Sequence, residues 1–168
     1  GLEHKMGLYG SPTASLSFGD EGNCVGFLLG EENAGMGIMF EMMNEARLDV
    51  SYQGLGVAST AYLHATTYAN GRIQGKGPNR GDGPVVISKH PDVRRMLLVM
   101  KSNLEGMRAL NYMASLQYDM LTVEKGQVKE EAEALWDFLI PQCKAGCTDM
   151  SWTITGEAIQ VYGGYGYC

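Results

Sequence analysis

The chain has 168 residues, a formal net charge of −6 and 45% hydrophobic residues, enough for one domain with a core or one domain with part of another. No apolar run approaches the ~18 residues needed to span a bilayer, and the acidic balance argues against the basic footprint of a nucleic-acid binder. Cys24, Cys143, Cys147 and Cys168 are scattered, which argues against a disulfide framework and for reduced thiols in a cytoplasm-like compartment. The start at Gly1-Leu2-Glu3-His4-Lys5-Met6, with no initiating methionine, reads as a piece of a longer protein.

Residues 7–30 are glycine-rich. The alternation Ala14-Ser15-Leu16-Ser17-Phe18 and the apolar run Val25-Gly26-Phe27-Leu28-Leu29 flank the turn signal Asp20-Glu21-Gly22-Asn23, so two short strands of a hairpin or sheet corner are expected here. From Met36 the period changes. Met36, Met39, Phe40, Met43, Arg47, Val50, Gly54, Val57, Ala61 and His64 recur at three- and four-residue steps, which predicts one long amphipathic helix to about Asn70. Gly54 and Gly56 inside it mark close helix packing. Residues 75–84 (Gly-Lys-Gly-Pro-Asn-Arg-Gly-Asp-Gly-Pro) read as a mobile loop, neither helix nor strand.

A second helix is expected after Pro91, with Asp92 at the positive end of its dipole. Its buried stripe is Val93, Met96, Leu97, Met100, Leu104, Met107 and Ala114, and it runs to about Val123. A third segment, Val128 to Ile140, ends at Pro141, and a fourth runs from Gln142 to Tyr162. Three or four long helices with short connections read as an antiparallel bundle. The eleven methionines are explained by core filling.

Most chemistry-bearing residues have a structural reading. Cys143 and Cys147 share a helix face, but no second pair completes a zinc site, so they read as core thiols and no metal is expected. His64 is a helix-face residue; His90, at a loop-to-helix junction, is of more interest. Gly54-Leu55-Gly56 lacks the preceding strand of a dinucleotide fingerprint. Arg47 falls on the methionine-rich stripe, where a guanidinium needs an ion-pair partner or a ligand. Arg72, closing the first helix, either complements the helix dipole or offers a planar fork to a pyrophosphate. Gln160 and the glycines after it form either a simple C-cap or a close approach for an anionic ligand.

Several stretches together resemble the acyl-CoA dehydrogenase family. Lys5-Met6-Gly7 with Ser11-Pro12-Thr13 resembles the K-x-G-x-x-x-S-x-T run of its middle β-domain, and Glu31-Glu32-Asn33-Ala34-Gly35-Met36-Gly37 the link into its first C-terminal helix. Asn44-Glu45-Ala46-Arg47 occupies the place of the substrate-contacting tetrad. Tyr68-Ala69-Asn70-Gly71-Arg72-Ile73-Gln74-Gly75 is similar to Y-A-x-x-R-x-x-F-G, and Gln160-Val161-Tyr162-Gly163-Gly164-Tyr165-Gly166 to the Q-x-x-G-G-x-G signature.

The resemblance implies a mainly α fold: an antiparallel four-helix bundle over residues 31–168, preceded by a β remnant, residues 1–30, from the end of the middle β-domain. It implies a flavoenzyme that α,β-dehydrogenates an acyl-CoA to a trans-2-enoyl-CoA, with electrons passing from FAD to electron-transfer flavoprotein, in a homo-oligomer, dimer or tetramer, which the reading of the thiols places in the cytoplasm. Asn44, Glu45, Ala46 and Arg47 would line the acyl cavity. Arg72, Gln74 and His90 would reach the FAD of a neighbouring subunit, and Gln160, Gly163 and Gly164 would cradle its adenosine-pyrophosphate half.

Two departures bear on the chemistry. Some members carry the catalytic glutamate immediately before the tetrad arginine, where this chain has Ala46; Glu45 is displaced by roughly 100° around a helix. Other members carry it in a Tyr-Glu-Gly-Thr motif, which is expected beyond Cys168, so no residue here is assigned as the base and the isolated piece is expected to be inactive. Gly75 stands where the family often has phenylalanine. The alternatives are part of an acyl-CoA oxidase, which passes electrons to oxygen, and a non-catalytic helical assembly domain.

Overall fold

A computed structural model describes residues 1–79, 81 and 83–168; Arg80 and Asp82, within the expected loop, lie outside the described residues. The backbone forms two compact units, Gly1–Met39 and Phe40–Cys168.

The first unit corrects the reading of two strands, in a hairpin or sheet corner, at 14–18 and 25–29. Its pairing among the described residues is a single antiparallel bridge, Leu2 with Ala14, flanked by Glu3 N–H to Thr13 C=O at 2.8 Å and Ser15 N–H to Gly1 C=O at 2.9 Å. Leu16, Phe18, Val25, Phe27, Leu28 and Leu29, the large apolar residues of the two expected strands, are exposed. A strand pair is held by further strands or a covering helix, and the described residues of this unit supply no sheet for these segments to join.

The helices begin with α1 (Gly35–Gly71). A hairpin follows, β1 (Ile73–Lys76) and β2 (Pro84–Val86), then a 3-10 turn at Ile87–Lys89. The second unit continues with α2 (Pro91–Val123), α3 (Gln127–Tyr162) and the short α4 (Gly164–Tyr167). Pro91 opens α2 where its missing N–H costs nothing. The mainly helical class therefore stands, with two corrections. Residues 75–84 are not structureless, because Gly75-Lys76 and Pro84 belong to an antiparallel pair. Pro141 does not end a helix but sits inside α3. A proline in a helix interior costs about 3 kcal/mol; burial of Trp136, Leu139 and Ile140 before it and of Cys143 and Cys147 after it offsets that cost.

Interhelical contacts fix the arrangement. α1 and α2 run antiparallel: the Tyr118 hydroxyl donates to Glu45, and further along α1 Ser51 Oγ donates to Asn111 Oδ1, earlier on α2, at 2.9 Å in the buried interior. α3 runs antiparallel to α2, its Cys147 thiol 3.4 Å from the same Asn111 oxygen. It therefore lies parallel to α1: Gly54 faces Cys147 and Tyr68 stacks on Tyr162 with centroids 4.5 Å apart.

The α2 stripe buries Met96, Met100, Leu104, Met107 and Ala114, as its spacing predicts. The α1 stripe does not follow the methionines. Met36, Met39, Phe40 and Val57 are exposed, and the buried positions are Ser51, Gly54, Leu55, Ala58, Ala65 and Ala69. Small residues let three helices approach closely; longer methionines on that face would hold them apart. Gly54 serves this approach, since a Cβ there would stand 3.1 Å from the Cys147 carbonyl oxygen, whereas Gly56 faces open space.

Candidate functional site

A cleft of about 490 Å³ lies where the end of α1, the hairpin and the end of α3 meet. Arg72 leaves α1 with its N–H still bonded to the Tyr68 carbonyl at 2.8 Å, while its own carbonyl accepts from Ile87 N–H at 2.8 Å. The chain is thus tied to both α1 and the strand return as it enters the cleft wall. Gln74 follows on β1. On the facing side α3 ends at Gly163, whose φ of 56° suits glycine in the left-handed region, and α4 restarts at Gly164. The Tyr68–Tyr162 stack, with Tyr165 set edge-on to Tyr68 at 6.3 Å, joins the two walls.

Four of the expected cofactor residues, Arg72, Gln74, Gly163 and Gly164, line this cleft. Arg72 makes no side-chain hydrogen bond or ion pair among the described residues and is exposed. At both glycines a Cβ would find no atom within 4 Å. Cation, amide and unobstructed backbone together form a donor set for an anion. Two expected residues lie elsewhere. Gln160 is exposed on the last turn of α3, its carbonyl accepting from Gly163 N–H at 3.0 Å. His90 stands behind the hairpin, its Nε2 2.7 Å from the Gln74 carbonyl oxygen.

The expected acyl-side residues sit near the other end of the helices. Arg47 is half-buried rather than enclosed in a core stripe. Its Nη1 donates to Asn44 Oδ1 at 2.9 Å, its guanidinium lies 5.5 Å from the Phe40 ring centre, and it forms no ion pair among the described residues. Glu45 points away from Arg47, as two residues around a helix require, and accepts from the Tyr118 hydroxyl of α2. That bond, with burial and the carboxylate charge adding to it, raises the Tyr118 phenol above its ordinary value. Tyr118 in turn packs on Trp136 of α3, centroids 4.8 Å apart.

Asn44 and Glu45 line a hollow of about 350 Å³ that also carries Glu41, Glu133 and Asp137. Ala46 and Arg47 do not. The tetrad is therefore divided between an acidic face and an arginine face. No cluster among the described residues has a metal-binding arrangement, and no described helix is long and apolar enough to cross a membrane. Cys143 and Cys147 are free and fully buried; burial first, then the neighbouring Cys147, pushes the Cys143 thiol up to about 11.

The tyrosine stack and Tyr118 were not identified from sequence. Tyr68 and Tyr162 stand inside the motifs that mark the cleft, a signal that was available. Tyr118 carries none, because its partner lies on another helix.

The comparisons agree with one another. Residues 33–168 match the family model for the acyl-CoA dehydrogenase C-terminal domain. The chain is 44% identical over 176 aligned residues to a butyryl-CoA dehydrogenase of Syntrophomonas wolfei. It is 40% identical over 168 to a 3-methylmercaptopropionyl-CoA dehydrogenase of Ruegeria pomeroyi. Each alignment covers 99% of this chain and 28% of the relative, so the chain spans little more than a quarter of either. The solved butyryl-CoA dehydrogenase of Megasphaera elsdenii superposes with a TM-score of 0.64 at 27% identity, covering 83% of this chain and 31% of that one. With a helical architecture, a glycine-ended cleft and a family model that covers most of its length, this chain belongs to the acyl-CoA dehydrogenase family.

Proposed function

We propose that the chain contributes to an FAD-dependent enzyme that α,β-dehydrogenates an acyl-CoA thioester to a trans-2-enoyl-CoA and delivers electrons to an electron-transfer flavoprotein. The observation that carries this reading is the convergence of Arg72 and Gln74 with Gly163 and Gly164 on one cleft. The donor set fits the pyrophosphate half of FAD: a planar guanidinium, an amide, and glycine backbone that a phosphate can approach without meeting a Cβ. FAD, when bound, supplies the hydride acceptor. The chain's part is to hold it. Arg72 neutralises phosphate charge, Gln74 and the glycines orient it, and the tyrosine stack keeps the two walls together.

Residues 1–30 are read as the end of the middle β-domain and 31–168 as the helical domain, within a cytoplasmic homo-oligomer. Asn44, Glu45, Ala46 and Arg47 are assigned to the acyl wall, with Arg47 as its cation. Gln160 and His90 remain assigned to the cofactor's surroundings. Because Ala46 has no carboxylate and Glu45 is engaged by Tyr118, the α-proton base is placed in a Tyr-Glu-Gly-Thr motif beyond Cys168. That base must come within hydrogen-bond reach of the proton it removes.

The intact protein, purified and anaerobic, tests this. Flavin absorbance that bleaches on adding an acyl-CoA, and returns with electron-transfer flavoprotein rather than oxygen, is the expected result. Return with oxygen would favour the oxidase. A colourless protein that still forms stable oligomers would replace the enzyme reading with an assembly domain. Arg72→Lys should weaken FAD binding about tenfold or more, because it keeps the charge but loses the fork.

A further inference from the structure

We infer that His90 is a positioning residue: it holds the carbonyl of a β-bulge at Gln74-Gly75 and so sets how Arg72 and Gln74 are presented to the cleft. The inference rests on the cofactor reading of that cleft and assigns His90 a role behind it rather than a ligand contact.

The hairpin supplies the first observation. Ile73 pairs with Val86 and Lys76 with Pro84, so β1 carries one residue more than β2 between these pairs. Gly75, at φ 71°, makes this a bulge of the kind that uses glycine in the left-handed region. A bulge interrupts the ladder and re-aims the neighbouring side chain. Here it lies between Arg72 and Lys76, and Gln74 is one of the cleft's lining residues.

His90 supplies the second observation. Its Nε2 lies 2.7 Å from the Gln74 carbonyl oxygen. A carbonyl only accepts, so Nε2 carries the hydrogen and donates. The ring packs against the bulge itself, with Cε1 and Nε2 both 3.4 Å from where a Gly75 Cβ would stand. His90 occupies the N-cap position of α2, yet its side chain makes no capping bond to that helix. Among the described residues the ring's hydrogen bond is thus spent on the hairpin. Ile87, on the same short path from hairpin to α2, donates to the Arg72 carbonyl. Arg72 and Gln74 are therefore held by backbone bonds one after the other, and His90 anchors the second.

The test is FAD titration of the intact apoprotein, with the ring nitrogens of His90 observed by 15N NMR. His90→Leu keeps comparable bulk and removes the donor, and roughly tenfold weaker FAD binding is expected. His90→Gln returns an amide N–H close to the position of Nε2 and should restore affinity to within about twofold of the parent. In the parent, the neutral ring should show a protonated Nε2 before any FAD is added. Unchanged affinity in His90→Leu would overturn the inference, as would His90→Gln binding as weakly as His90→Leu, or a deprotonated Nε2. If the parent binds no FAD while Nε2 is protonated as expected, the cofactor reading fails and this role falls with it. If the parent binds FAD and His90→Leu binds equally well, only the role of His90 fails.

Discussion

Gly54 and Gly56 lie two residues apart in α1, and the structure assigns them opposite responses to alanine. In a helix interior, alanine is favoured over glycine by about 0.8–1 kcal/mol. At Gly56 the new methyl meets nothing within 4 Å, so Gly56→Ala should keep that gain and stabilise the protein by about 1 kcal/mol. At Gly54 the methyl would stand 3.1 Å from the Cys147 carbonyl oxygen, 3.3 Å from its carbon and 3.5 Å from Thr148 N. These are backbone atoms of a long helix and cannot rotate aside, so α1 and α3 must part by a few tenths of an ångström. Overpacking of this kind costs about 1–3 kcal/mol, and the separation also strains the Ser51–Asn111–Cys147 contacts. Gly54→Ala should therefore be net destabilising by about 1 kcal/mol, with the two variants about 2 kcal/mol apart. Urea unfolding at matched m-value reads this difference directly. A Gly54→Ala variant as stable as Gly56→Ala would refute the claim that these helices touch through backbone.

Other expectations follow from the titrating groups and the last turn. Tyr118 is raised above its ordinary value chiefly by its bond to Glu45, so the stability it contributes is complete below about pH 10, the unfolded phenol's range, and is lost as pH rises through the folded value. The difference in melting temperature between parent and Tyr118→Phe, corresponding to about 0.5–1 kcal/mol near neutrality, should shrink above that pH; a constant difference would contradict the Glu45 bond. Cys143, held up to about 11 by burial and by Cys147, should resist a thiol reagent in the native chain at pH 8 along with Cys147, while exposed Cys24 and Cys168 react. Four fast-reacting thiols without denaturant would rule out the packed α2–α3 seam. Gly166→Ala places a Cβ against the Ile159 carbonyl and should displace α4, costing about 1–3 kcal/mol; an unchanged melting temperature would count against this packing.

The parts of the fold that were legible are those decided locally. Pro91 and the break after Val123 bound α2 because start and stop chemistry is written in adjacent residues. Pro141 misleads for the same reason: its local rule says stop, but α3 continues because residues on both sides are buried by α2. The alternations at 14–18 and 25–29 describe a face without saying what covers it. The bulge at Gln74-Gly75 is hidden in a glycine-rich stretch, since glycine permits a strand irregularity as readily as a loop. At the candidate site, Arg72, Gln74, Gly163 and Gly164 were legible through residue type in a familiar order. Their convergence depends on the parallel alignment of α1 and α3, which no window of either helix contains. The division of Glu45 from Arg47 follows from helical rotation, but Tyr118 as the partner of Glu45 does not, because the two are far apart in sequence.

The unbroken length of α1 has a consequence for how the chain is used. Arg47 and Arg72 are separated by an almost uninterrupted helix, and at 1.5 Å per residue this sets them roughly 37 Å apart. On the proposed function, with the bound flavin shared between neighbouring subunits, the two arginines of one chain would serve different catalytic centres. Each chain of a dimer built this way would give its arginine-bearing acyl wall to one centre and its glycine-ended cleft to the other. In a mixed dimer of an Arg47-deficient and an Arg72-deficient chain, both lesions fall in the same centre and the other centre is whole. Two intact variants that are each inactive alone would recover activity on mixing, in half the sites of each mixed dimer and so in roughly a quarter of all sites when subunits exchange at random.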